Sequence, residues 1–230
     1  SAAAVKNAEM WFPGEAPAFV KTDPELAEVF GNFAFDEVQR YGKLDVKTRI
    51  LVTMASSLAQ QAAATYEMTL RAALANGVAP VAIREVLYQA VPYVGMAKVV
   101  DYIALTNDFF RKNGVEPPLE PQAITTPERM YETSPANQLH IQRALSGNCF
   151  GDYQTRTGLD VRTRELLTFS MLVSLGGCEP QVKGHIRGNV NVGNDKDVLL
   201  AVVTQLLPYI GYPRTLNAIA CLNEVIPERG

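Results

Sequence analysis

Apolar residues recur along this chain at helical spacing, in runs such as "TRILVTMASSLA", "AIREVLYQAV" and "LLTFSMLVSL". No alternating strand pattern breaks the series. Start and stop signals divide the runs into helices. Asp45 and Asp160 stand where an N-cap belongs, each just before an apolar-periodic run. A second helix through "YEMTLRAALANG" closes at Gly77, and its counterpart through "QVKGHIRGNVNVG" closes at Gly193. A third begins at Pro80, a first-turn proline, and its counterpart takes Asn194 as cap. The Pro-Tyr-x-Gly elements, Pro92 to Gly95 and Pro208 to Gly211, are expected to break the chain. A last helix follows each, over "MAKVVDYIALTNDFFRK" and "YPRTLNAIACLNEV".

These elements come in pairs because the chain is duplicated. "LDVKTRILVT" (44–53) matches "LDVRTRELLT" (159–168) at seven of ten positions, and "QAVPYVG" (89–95) matches "QLLPYIG" (205–211) at Gln, Pro, Tyr and Gly. The pattern predicts an all-α fold of two tandem repeats related by a pseudo-twofold axis. The expected organisation is an N-terminal extension over 1–20, a first repeat over 21–113, a linker over 114–131 and a second repeat over 132–230. The linker holds four prolines and reads as an extended, exposed connector. The opening residues, "SAAAVKNAE", read as an expression remnant or as the stub left by signal cleavage.

Composition narrows the function. The net charge of −3, with no Lys/Arg run, argues against a nucleic-acid or anionic-membrane surface. The longest apolar stretches are far too short to span a bilayer. Three widely spaced cysteines make neither a disulfide framework nor a CxxC pair, which favours a reducing, cytoplasmic compartment, with export after signal cleavage as the other option. Two histidines and these cysteines fill no zinc site, so no metal is expected. With no phosphate loop or dinucleotide fingerprint, no cofactor is expected either.

The chemistry concentrates in "SLGGCEPQVKGHIRG", where Cys178 and His185 stand seven residues, or two helical turns, apart. Cys178 suits the first turn of a helix, where the dipole lowers a thiol pKa, and His185 could serve as its base. The alternative is a buried inert thiol. Glu165 either pairs with its helix start or faces Cys178 and His185 and relays a proton. Arg49 and Arg164 occupy matching positions and are read as structural. Arg71 and Arg187 also match, and Arg187 is a weak substrate-binding candidate. Tyr93 and Tyr209 pack the helix junctions, with Tyr209 as a weak pocket candidate. His140 lies outside the repeat and is read as surface.

Together the "LDxxTREL" helix start, the Cys and His seven apart and the "QxxPYxG" element resemble the carboxymuconolactone decarboxylase family, which includes alkylhydroperoxidase-D-like proteins. The resemblance covers nearly the whole chain, once per half. It implies a helical fold that oligomerises, a trimer of two-repeat chains imitating a hexamer, and a functional cluster of Glu, Cys and His. The second half supplies Glu165, Cys178 and His185. The first half has Ile50, Ala62 or Ala63, and Thr69 there, so that copy looks chemically dead.

The position where alkylhydroperoxidase-like members carry a second cysteine is Gln181. The resemblance therefore implies a cofactor-independent lyase acting on a small carboxylated lactone or related acid. The alternatives are a thiol peroxidase using Cys178, resolved by Cys149, Cys221 or an external thiol, and a non-catalytic binding scaffold.

Overall fold

The computed structural model describes residues 1–14, 16–124 and 134–228. Twelve α-helices account for most of them: α1 (Ala2–Trp11), α2 (Phe19–Thr22), α3 (Pro24–Asn32), α4 (Val46–Ala59), α5 (Ala63–Ala75), α6 (Pro80–Val94), α7 (Met96–Lys112), α8 (Leu139–Ala144), α9 (Val161–Leu175), α10 (Glu179–Asn191), α11 (Lys196–Ile210) and α12 (Tyr212–Val225). Short π-helical segments, Phe33–Glu37 and Leu145–Gln154, lead towards α4 and α9. Among the described residues the only β-type pairing is one bridge between Ile124 and Arg156. None of the described helices is long and apolar enough to cross a membrane.

The two copies are laid down alike. Asp45 caps α4 by accepting from the Thr48 amide at 3.0 Å, and Asp160 caps α9 by accepting from Thr163 at 2.7 Å. These two helices are the centre of the molecule. Every residue from Arg49 to Ala59, and from Arg164 to Ser174, is buried. A helix buried on all faces cannot show a polar side to water. Its hydroxyls therefore turn inward, Thr53 donating to the Arg49 carbonyl at 2.8 Å and Ser170 to that of Leu166 at 2.7 Å. Across the contact between α4 and α9, Ser56 and Ser174 hydroxyls meet at 2.7 Å. α6 of the first copy packs on α9 of the second, and α11 of the second packs on α4 of the first. That exchange is the expected pseudo-twofold arrangement.

Three details differ from the sequence reading. Pro92 and Pro208 do not break the chain; α6 and α11 run through them to Val94 and Ile210. A proline in the last turn forfeits only its own ladder bond. The break falls at Gly95 and Gly211, whose φ values of 87° and 79° suit glycine alone. The cap of α11 is Asp195, which accepts from the Val198 amide at 3.0 Å. Asn194 is instead buried, donating to the Arg162 carbonyl at 3.0 Å and to the Asn189 side chain at 2.9 Å.

The opening residues form part of the packed fold. Ser1 caps α1, and its hydroxyl donates to Asp36 at 2.7 Å. Trp11 is fully buried and meets Phe35 edge-to-face at 5.8 Å. The connector over 114–124 has no regular element, but Val115 and Leu119 pack on the core. The rest of the expected linker, with the expected start of the second repeat at 132, lies outside the described residues.

Because Trp11 fills the space between α1 and the first copy, Trp11→Ala is expected to lower stability by about 3–5 kcal/mol. A urea midpoint unchanged from the parent would show that α1 is not part of the cooperative core.

Candidate active site

Glu165 is the fifth residue of α9 and points at α10. Its Oε2 lies 2.9 Å from His185 Nδ1, with only 9% of the Glu165 side chain and 18% of the His185 side chain exposed. A carboxylate only accepts hydrogen bonds, so this contact suits the tautomer with its proton on Nδ1. Nε2 is then the nitrogen left for chemistry. The other carboxylate oxygen, Oε1, accepts from Gln154 Nε2 at 2.9 Å.

The local packing explains why this pair stands where it does. Gly188 lies one turn after His185, and a Cβ there would sit 2.7 Å from Glu165 Oε2. Only a glycine lets α10 approach the carboxylate this closely. Asn189, fully buried, fixes the same approach by donating to the Glu165 carbonyl at 3.1 Å and the His185 carbonyl at 2.8 Å.

The first copy supports the pair from across the pseudo-twofold. The Tyr93 ring meets the His185 ring edge-to-face at 5.2 Å. Burial, then the neighbouring Cys149 thiol and the Glu165 charge, push the Tyr93 hydroxyl well above its ordinary range, so it stays protonated and able to donate. Behind Glu165 runs a directed chain of donors. Arg164 donates to Gln89 Oε1 at 2.9 Å, Gln89 Nε2 donates to Gln154 Oε1 at 2.6 Å, and Gln154 donates to Glu165. Gln89 also donates to the Thr168 hydroxyl at 3.0 Å. At the far end Glu85 accepts from Arg164 at 2.8 Å and from Arg156 Nε at 3.1 Å. Each amide is thereby oriented by its neighbour, and the carboxylate receives only donors.

Of the residues singled out in the sequence, the structure joins Glu165 and His185 but not Cys178. Cys178 is the cap residue before α10, not part of its first turn. Its thiol donates to the Leu172 carbonyl at 3.2 Å and makes no hydrogen bond to His185 or Glu165 among the described residues. Burial first, then the Glu179 charge, push the thiol pKa up, the reverse of the lowering expected from the helix dipole.

The thiol beside the pair is Cys149, which donates to the Tyr93 hydroxyl at 3.8 Å and is also pushed up, chiefly by burial. Arg187 is exposed, and so is His140. Tyr209 packs edge-to-face on Phe30 at 5.8 Å in the first copy, while its counterpart Tyr93 is the ring on His185. Arg49 and Arg164 are buried in reciprocal roles, Arg49 donating to Gln205 of the second copy at 3.0 Å as Arg164 does to Gln89 of the first.

Gln89, Gln154, Tyr93 and Gly188 were missed as site residues. Gln89 carried a signal, being repeated as Gln205, and Gln154 is repeated as Gln39. Among the described residues no three His, Cys, Asp or Glu side chains converge in a way that could hold a metal ion.

Gly188→Ala is expected to open the Glu165–His185 contact and to lower the melting temperature, since pushing aside a buried carboxylate costs about 1–3 kcal/mol against the roughly 1 kcal/mol by which alanine favours the helix. A crystal structure of the variant with that contact still at 2.9 Å would contradict the close-approach argument.

Comparison with known proteins accords with this geometry. The chain is 31% identical over 90 residues to a 4-carboxymuconolactone decarboxylase of Acinetobacter baylyi, a match spanning 39% of this chain and 66% of that protein, just under two thirds of its length. The model of the carboxymuconolactone decarboxylase family matches twice, over residues 24–108 and 140–224. A chain whose two copies both match, and whose second copy carries the Glu165–His185 pair, belongs to the carboxymuconolactone decarboxylase family as a tandem two-repeat member.

Proposed function

We propose that this chain is a cofactor-independent lyase that removes CO₂ from a small carboxylated lactone or a related acid. The observation that carries the reading is the Glu165–His185 contact at 2.9 Å, an acid–base pair held beneath a protonated tyrosine. The family and the name of the relative from Acinetobacter baylyi support the reaction class.

The chemistry asks for little more. When the C–CO₂ bond breaks, its electron pair moves into the conjugated lactone and onto the ring carbonyl oxygen. A donor that stabilises this oxyanion lowers the barrier, and the Tyr93 hydroxyl is suited to that part. The carbanion equivalent then needs one proton, delivered to carbon from the His185 imidazolium. Glu165 keeps the imidazole in one tautomer and stabilises its charged form. His185 regains its proton from solvent, so the sum is a carboxylate and a proton giving CO₂ and the decarboxylated lactone.

A thiol peroxidase is less well supported. Gln181 stands where a dithiol would need its second cysteine, and Cys178 is held in the thiol form by burial. In this reading Cys178 is a packing residue and lies outside the proton relay.

His185→Ala and Glu165→Gln are expected to lower kcat on a carboxylated lactone by about 10²–10⁴-fold, the usual reach of general acid–base catalysis. Cys178→Ser should stay within a few-fold of the parent. Loss of lactone absorbance, with CO₂ release, reads all three. A His185→Ala enzyme at full rate, or a Cys178→Ser enzyme without activity, would overturn these roles.

A further inference from the structure

A cavity of ≈ 350 Å³ lies away from Glu165 and His185, between α6, α7, the connector and the segment leading into α9. Three arginines, Arg84, Arg111 and Arg156, line it. Arg84 is nearly buried, donates one nitrogen to Asn107 and stacks over the Phe110 ring at 5.5 Å. Arg156 uses Nε on Glu85 and lies over the Tyr88 ring at 4.8 Å. Among the described residues the two terminal nitrogens of Arg156, and all three nitrogens of Arg111, have no hydrogen-bond acceptor. Glu85 is already shared with the buried Arg164. The other carboxylate lining the cavity, Glu120, is exposed to solvent. In a chain of net charge −3, this is a local surplus of positive charge facing an open volume.

Val81, Pro117, Pro118 and Leu119 add apolar surface to the same lining. A pocket that combines apolar surface with a few charged groups has the build of a small-molecule site. Planar guanidinium forks match carboxylate geometry. The duplication does not repeat this lining at the matching positions. Leu200, Ala201 and Tyr41 stand at the positions matching Arg84, Glu85 and Arg156. Both loops approach the helix closely: an added Cβ would lie 2.3 Å from Ala201 Cβ at Gly42 and 2.9 Å from Glu85 Cγ at Gly158, so what differs is the side chains, not the backbone path.

We propose that this cavity is a binding site for a small organic carboxylate, separate from the Glu165–His185 pair and independent of the lyase reading. The carboxylate meets Arg84, Arg111 and the free end of Arg156, and the hydrocarbon body rests on the proline wall.

The test is calorimetric titration of the full chain with adipate, with hexane-1,6-diol as the neutral probe and inorganic phosphate as the anion without a hydrocarbon body. Saturable binding of adipate alone is expected. Arg84→Met and Arg111→Gln should each weaken it about tenfold, one charge-assisted contact apiece, and His185→Ala should leave it unchanged. Arg111 is exposed, so its variant carries the test even if Arg84→Met fails to fold. The proposal is overturned by absent adipate binding, by phosphate binding equally well, or by binding that His185→Ala abolishes and Arg111→Gln spares.

Discussion

A guanidinium buried in the centre of a protein must be given acceptors, and this fold is arranged around two of them. Arg49 and Arg164 each start a central helix and each reach a glutamine of the opposite copy, Gln205 and Gln89. Each arginine takes backbone acceptors from its own copy, Arg49 from Leu44 and Gln39 and Arg164 from Arg156 and Thr157. One terminal nitrogen of each is met by the glutamine across the pseudo-twofold. Removing that glutamine leaves a buried donor unpaired, at a cost of about 1–3 kcal/mol. The halves are therefore held in one relative position by an interaction that specifies geometry as much as it stabilises. Further contacts inherit that precision. Gln205 is placed 3.4 Å from the Thr53 hydroxyl as Gln89 is placed 3.0 Å from Thr168.

Only one side of this near-symmetry carries the Glu165–His185 pair. On the second-copy side Gln89 passes its orientation through Gln154 to Glu165, and the first copy contributes the Tyr93 ring to His185. The corresponding positions of the first copy have been rebuilt as core. Ile50 replaces the carboxylate, Thr69 the imidazole, Ala73 the clamping Asn189 and Val78 the buried Asn194, and all four are buried. Such changes come as a set, because a half-dismantled polar network leaves desolvated groups without partners. Thr69, the one polar replacement, satisfies its hydroxyl on the Tyr66 carbonyl at 2.7 Å. The aromatic cluster of Trp11, Phe30 and Phe35 gathers on the same side, with Phe30 against Tyr209. In the proposed reading the first copy is the wall and alignment frame of the pair in the second.

Much of this was legible in the residues themselves. The duplication, the Asp45 and Asp160 caps and the glycine stops follow from local rules, and local rules held. Pro92 and Pro208 misled because a proline near a helix end costs one bond, not the helix. Asn194 misled because two adjacent residues could both cap, and the tertiary contact with Asn189 drew it inward. Glu165 and His185 were found through the family's pattern, and the pairing of their side chains depends on Gly188, whose role is invisible without the helix packed against it. Spacing brought Cys178 and His185 together on paper. The chain instead places Cys178 at the cap position, with its thiol donating to the Leu172 carbonyl rather than to His185. Tyr93 and Cys149 reach the site only through the junction of the two copies, which no local rule describes.

Glu165, aligned from the opposite copy, is the acceptor placed to fix the His185 proton on Nδ1. Nitrogen-15 NMR of the imidazole in the full chain, recorded above the histidine titration, reads the tautomer directly. The account predicts a protonated Nδ1 and a pyridine-like Nε2 for His185. A resonance pattern showing the proton on Nε2, or a free-imidazole mixture of the two tautomers, would contradict it.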